Sequence, residues 1–432
     1  MRGDEPEADS RITSGVRRAS LLVLLGAQAV QLAYFFPANP QVESDNTRYE
    51  EAGFNLAQGK GLSLSYATLP DEDVRSWACS RHPERCTDGD RYPTAGYPPG
   101  YQVFIAMVYS ALGRSVGSLL LVQGLLHLLM MLMLETVAAR RLRKPGYLFV
   151  VALGASYPFL ARQAGMVMSD HLHAVLLFAA VWANFVIAEV RWRAFATGLF
   201  LATATLTRPY SFVAIPFLLF IPSVRRSIAP SPAALALFVI ALLVPFGSWV
   251  GRNAEVFGRF IPFTTTGIGA SIYLNKTEAT IGSGLEPGKA ASIYRELGTV
   301  AEGDITTWKG DRKLRDAGLR WMLENPLKVL AAIPARVPRI WVSMGFQGQG
   351  LHPLAALLII YLGGLLVLGV IGLVRRPFGP WLFPLVVILA YWAFLLHTPG
   401  DARRSLALRL PLLLFAGAAV DDLFERLLKR FH

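Results

Sequence analysis

Apolar runs recur along this chain from residue 19 to residue 424, and polar segments separate them. Long apolar runs of this kind suit helices crossing a lipid bilayer, where every backbone polar group must be satisfied inside its own segment. The pattern predicts spans near 19–37, 118–139, 146–161, 169–189, 194–208, 209–224, 232–250, 352–374, 378–397 and 404–424. It also predicts two large polar segments, 38–117 and 251–351, the first containing a short apolar stretch at 98–112. The expected fold is an all-α polytopic membrane bundle of about ten crossings. In domains, this reads as a tail 1–18, a transmembrane module 19–250, a polar segment 251–351, helices 352–424 and a tail 425–432.

Composition agrees: 53% of the 432 residues are hydrophobic and only 17% charged, too few charges for a soluble surface of this size. Mean hydropathy is +0.41. The net charge of +12 would suggest nucleic acid in a soluble protein, but here it serves topology. Arg11, Arg17 and Arg18 precede the first span, and basic groups follow at Arg140, Arg141, Arg191, Arg193, Arg225, Arg226, Arg375, Arg376 and Lys429. Placing all of them in the cytoplasm puts both polar segments outside, provided that 98–112 stays at the interface instead of crossing. A cleaved signal peptide is the rival reading of the first run, but no small-x-small site follows it. The only cysteines, Cys79 and Cys86, fall in the first outer segment, where an oxidising compartment favours a disulfide; two separate thiols are the alternative.

On the outer side, Asp45 opens a predicted surface helix carrying Tyr49, Ala52 and Leu56, either as a working carboxylate or as a helix cap. Asp170, at the outer end of its span, either caps the helix or faces a polar cavity. Asp170, His171 and His173 could together suggest a metal, but neighbours on a helix diverge by about 100°, so at most two share a face. Arg208, Arg252 and Arg409 stand at or inside outer helix ends, suited to holding a phosphate at headgroup depth or simply snorkelling. Trp308 and the basic run Lys309 to Arg315, with Lys276, are expected to shape what the second outer segment recognises. His127 and Glu135 read as packing and boundary residues. No phosphate-cradling loop, dinucleotide glycine motif or His-Glu-x-x-His motif occurs.

In order, Asp45-x-x-x-Tyr49, Gly59-x-Gly61, Tyr97-Pro98-Pro99-Gly100-Tyr101, Ser169-Asp170, Thr207-Arg208-Pro209, Arg252-Asn253, Phe257-Gly258 and Arg409-Leu410-Pro411 resemble the GT-C integral-membrane glycosyltransferases. Within them, the branch of protein mannosyltransferases and lipid A aminoarabinose transferases is the most similar. The resemblance implies inverting transfer of a sugar from a polyprenyl-phosphate donor to a glycan, lipid or protein acceptor on the extracytoplasmic face of a bacterial plasma membrane. It gives Asp45 the role of general base. Tyr49, Asp170, His171, Arg208, Arg252 and Arg409 become candidate substrate-binding residues, with no cofactor and no nucleic acid required. Two departures stand out. Asp170 replaces the family's usual Glu, and Asp71-Glu72-Asp73, the sole acidic cluster, is not clearly placed for metal, which points to a metal-independent branch. The alternatives are a flippase for lipid-linked glycans, for which no internal repeat is visible, and a non-catalytic protein that binds carrier lipid through Arg409.

Overall fold

A computed structural model describes residues 12–36, 45–68, 71–86, 91–274, 287–342, 353–376, 379–395 and 403–431. The first apolar run is α1 (Ser14–Phe35), started by Thr13, whose hydroxyl accepts from the Val16 amide at 3.4 Å. The first polar segment holds α2 (Asp45–Ala57), β1 (Ser63–Ser65), α3 (Glu72–Arg81), β2 (Arg91–Pro93) and α4 (Gly100–Leu112). Then follow α5 (Val116–Arg141), α6 (Lys144–Ala155), α7 (Pro158–Ala164), α8 (Ser169–Val186), α9 (Val190–Thr207), α10 (Ala214–Phe220), α11 (Pro222–Ile228) and α12 (Pro232–Phe257). The second polar segment contains α13 (Ile268–Tyr273), α14 (Pro287–Ala301), α15 (Trp308–Glu324), α16 (Pro326–Ala331) and α17 (Ile333–Val342). The chain returns to apolar helices α18 (Pro353–Arg375), α19 (Leu382–Leu395) and α20 (Leu406–Phe431).

Among the described residues, α1, α5, α8 and α12 are long and apolar enough to cross a membrane. The expected ten crossings are therefore not ten unbroken helices. Proline is the physical reason, because it lacks the N–H that continues a helix. Pro158 divides the run 146–161 into α6 and α7. Pro209 ends α9, and the run predicted as a span at 209–224 bends by 102° between Phe220 and Pro222. α4, at 13 residues or about 20 Å, is short for a crossing.

α8 is the hub, buried along nearly its whole length and packed by α5, α9 and α20. Close backbone approach at glycines lets these helices meet. Gly198 of α9 faces the Phe238 carbonyl of α12, Gly146 of α6 lies against Gly417 of α20, and Gly372 of α18 lies against Phe415. α1 instead leaves Leu22, Val23, Val30 and Tyr34 exposed, as a lipid-facing helix does.

The first polar segment forms a small lobe around an antiparallel pair that aligns Ser63 with Pro93 and Leu64 with Tyr92. Cys79 and Cys86 are bonded, with Cα atoms 5.7 Å apart. The acidic cluster is consumed structurally: Asp71 caps α3 through the Val74 amide at 3.1 Å, Glu72 accepts from the Tyr66 hydroxyl, and Asp73 pairs with Lys309 Nζ at 2.9 Å. That pair ties α3 to α15. Burial pushes the Asp71 carboxyl up to about 6, against the lowering effect of the Val74 hydrogen bond.

Two predictions follow from this packing. A Cβ on Gly100 would meet Thr207 Oγ1 at 2.5 Å and its amide nitrogen at 2.8 Å, whereas one on Gly247 meets nothing within 4 Å. Thermal unfolding in nanodiscs should show Gly100→Ala destabilised by about 1–3 kcal/mol and Gly247→Ala unchanged or slightly stabilised. Because folding raises the Asp71 pKa, the folded lobe binds a proton that the unfolded chain releases. Lobe stability should therefore rise as pH falls from 7 towards 5, as read by hydrogen exchange over α3, and Asp71→Asn should flatten that dependence.

Candidate functional site

Three elements converge where the first lobe meets the bundle. α2 begins at Asp45 and carries Tyr49 one turn later; nothing is described of the Asp45 side chain. The close approach of α2 to α4 is possible because Gly53 faces Ile105 and the Gln102 carbonyl. Tyr49 is buried, its ring 4.8 Å from Tyr97 and 5.2 Å from Tyr101. The start of α4 abuts the end of α9 through Gly100 and Thr207, so two motifs far apart in sequence lie against each other.

Pro209 favours extended backbone in the residue before it, and Arg208 has φ −146° and ψ 125°. α9 ends there, and the guanidinium turns to the first turn of α8. Its Nη2 donates to Asp170 Oδ2 at 2.6 Å, its Nε to Ser169 Oγ at 3.1 Å and its Nη1 to the Tyr210 hydroxyl at 3.3 Å. Ser169 in turn donates to the Tyr49 hydroxyl at 3.2 Å. Thus Tyr49, Ser169, Asp170, Arg208 and Tyr210 form one connected polar group at the edge of an apolar core. Among the described residues, three of the five guanidinium N–H groups are engaged, and the other two point to no described acceptor. The shorter Asp170 still reaches the arginine, so its contacts are those of a charge partner that positions Arg208.

The other candidates point elsewhere. Gln28 Nε2 donates to the Gly154 and Ala155 carbonyls at 2.7 and 3.3 Å, so its Oε1 accepts from His127 Nε2 at 2.7 Å. His127 Nδ1 is then an acceptor, and His171 Nε2, 3.3 Å away, donates to it. His171 is therefore turned towards α5. His173 Nδ1 meets the Ala204 carbonyl at 2.8 Å, while its Nε2 lies 3.3 Å from Tyr391 and 3.4 Å from Ser211. Asp170, His171 and His173 thus diverge on three sides of α8. Among the described residues no group of three or more His, Cys, Asp or Glu side chains gathers in one place.

Arg252 donates to the Leu62 and Thr94 carbonyls at 3.0 and 2.9 Å, clipping one end of the β-pair, where Leu62 and Thr94 face each other, to α12. Arg409 is buried, donating to the Trp341 carbonyl at 3.1 Å with its guanidinium over Phe159, Trp341 and Tyr157 at 5.1, 5.5 and 5.6 Å. Neither arginine is joined by these contacts to the Arg208 group. Trp308 packs against Trp77, and in the basic run Lys309 and Lys313 pair with Asp73 and Glu302. Lys276 lies outside the described residues.

No protein-family profile and no curated protein matches the sequence. Among solved structures, the chain is similar to ArnT from Cupriavidus metallidurans bound to undecaprenyl phosphate, at 13% identity and TM-score 0.41 over 94% of this chain and 78% of that one. It is also similar to the archaeal oligosaccharyltransferase AglB from Archaeoglobus fulgidus in complex with an inhibitory peptide and a dolichol-phosphate, at 12% identity and TM-score 0.48. There the similarity covers 97% of this chain but 52% of AglB, about half its length. At this distance the similarity concerns the course of the chain, and no residue role is transferred from either protein.

Ser169 and Tyr210 join the site beyond the residues expected from sequence, although they neighbour Asp170 and Arg208 in the chain. His127, expected to be a packing residue, bonds to Gln28, whose sequence signal is only a polar side chain inside an apolar run. The Asp170–Arg208 pair gives a clear test. Asp170→Ala should cost about 3–5 kcal/mol in thermal unfolding, because it strands a largely buried cation, while Asp170→Leu with Arg208→Met should recover much of that stability. A single variant as stable as the native chain would show that the pair does not hold the site.

Proposed function

We propose that this chain is a membrane glycosyltransferase that moves a sugar from a polyprenyl-phosphate donor to an acceptor hydroxyl or amine on the extracytoplasmic face. The observation that carries the reading is the meeting of Tyr49, Ser169, Asp170 and Arg208. These residues come from the motifs that resemble the GT-C enzymes, yet lie 120 residues apart between Tyr49 and Ser169 in sequence. Arg208 supplies a positioned guanidinium with two donors left over among the described residues, suited to the two-oxygen face of a phosphate. Asp170, Ser169 and Tyr210 hold it in place, which reduces reorganisation when charge develops.

In the proposed step, the acceptor's proton passes to the Asp45 carboxylate as the acceptor atom bonds to the anomeric carbon. The carbon–oxygen bond to the carrier phosphate breaks on the opposite face, so configuration inverts and the polyprenyl phosphate leaves as an anion beside Arg208. Asp45 fits this role by its place: its backbone opens α2 one turn before Tyr49, whose hydroxyl is in the Arg208 group. Arg252 and Arg409 support the frame by holding backbone carbonyls of the lobe and of α17.

Purified protein in nanodiscs, offered a panel of polyprenyl-phosphate sugars and a crude envelope acceptor fraction, should consume one donor and glycosylate an acceptor, read by mass spectrometry. Asp45→Asn should slow turnover by about 10²- to 10⁴-fold with folding intact. Near-native turnover in that variant would remove Asp45 from the mechanism. Donor lipid crossing vesicles without being consumed would instead identify a flippase.

A further inference from the structure

The second polar segment carries an apolar stripe on its surface that the bundle does not cover. Leu319 and Leu323, one turn apart on α15, are 43% and 81% exposed, and Leu327 and Leu330, one turn apart on α16 beyond the break at Asn325, are 78% and 58% exposed. The opposite face of α15 is already occupied: Leu314 packs with Tyr273, Leu297 and Ala301, and Gly318 lies against the Tyr273 backbone. The stripe is therefore a second, separate face.

Its charge surroundings indicate what covers it. Arg312 stands two turns before Leu319 on the same face, Arg320 flanks the stripe, and Lys328 sits between its last two leucines. All three are exposed, and among the described residues none forms an ion pair. Asp316, on the same side, is matched by Arg315 at 2.8 Å, leaving Glu324 as the one acid set against three cations. Beyond α16 the chain runs directly into α17, where the indole of Trp341 donates to the Leu362 carbonyl of apolar α18 at 2.6 Å. The stripe thus sits one short helix away from a segment docked on the membrane bundle.

We propose that the α15–α16 face lies in the interface of the bilayer, with Leu319, Leu323, Leu327 and Leu330 among the upper acyl chains and Arg312, Arg320 and Lys328 on anionic lipid headgroups. Leucines immersed on one face with long cations at the rim are the arrangement by which a helix lies in a membrane surface. This placement pins the second polar segment down, and through the Lys309–Asp73 pair it pins the first lobe beside it. It is independent of the transfer reaction.

The native cysteines are bonded to each other, so a single introduced cysteine can carry a spin label on the full-length protein. Labels at Leu323→Cys and Leu327→Cys, in nanodiscs containing phosphatidylglycerol, should collide several-fold more with oxygen than with a water-soluble nickel chelate, relative to a label at exposed Asp304→Cys. Replacing Arg320 and Lys328 with glutamine, or using zwitterionic lipid alone, should reduce that ratio. Labels as open to the nickel chelate as the Asp304 control would overturn the proposal. So would labels shielded from both reagents with label-to-label broadening, which would mean that a second copy covers the stripe.

Discussion

The ion pair between Arg208 and Asp170 is the constraint on which the rest of the site depends. A guanidinium at the end of a helix among apolar neighbours is costly unless its charge is matched and its donors are used. Asp170, Ser169 and Tyr210 satisfy that demand, and in doing so fix the end of α9 to the start of α8. Because Ser169 also bonds to Tyr49, the same network sets where the first lobe sits on the bundle. One electrostatic requirement thereby couples the central helix, a broken helix and the first lobe.

The packing around that pair uses small residues at the points of closest approach. Gly100 lets α4 press on Thr207, Gly53 lets α2 press on α4, and Gly198 seats α9 on α12. Arg252 performs a related task on the lobe, since its guanidinium holds the carbonyls that flank the two-stranded pair. Buried polar chains such as Gln28–His127–His171 add direction, because each member is satisfied only when the preceding one is oriented. These contacts place Tyr49 and Arg208 together with little freedom to separate.

Much of this was legible in the chain. The apolar runs located α1, α5, α8 and α12, because runs of this length respond to one dominant force, although α1 starts at Ser14 ahead of the run and α12 continues to Phe257 beyond it. The end of α9 at Thr207-Arg208-Pro209 was readable from proline chemistry, whereas the run 209–224 read as one span and its 102° bend at Pro222 did not show. The roles of the arginines were harder to read. Arg208, Arg252 and Arg409 look alike in sequence, each at or near an outer helix end, and only three-dimensional neighbours separate an arginine paired to a carboxylate from those holding backbone carbonyls. Ser169, Tyr210 and Gln28 escaped for a similar reason: a single polar side chain gains meaning from a partner far away in sequence.

The central claim is that a lipid-linked phosphate seats beside Arg208 in the group formed with Asp170, Ser169, Tyr49 and Tyr210. A cryo-electron microscopy map of the full chain in nanodiscs with polyprenyl phosphate tests it directly. The account predicts phosphate density within hydrogen-bond reach of the Arg208 guanidinium, next to the start of α2. Phosphate density seated at Arg409 or elsewhere, with the Arg208 group closed and unchanged, would contradict it.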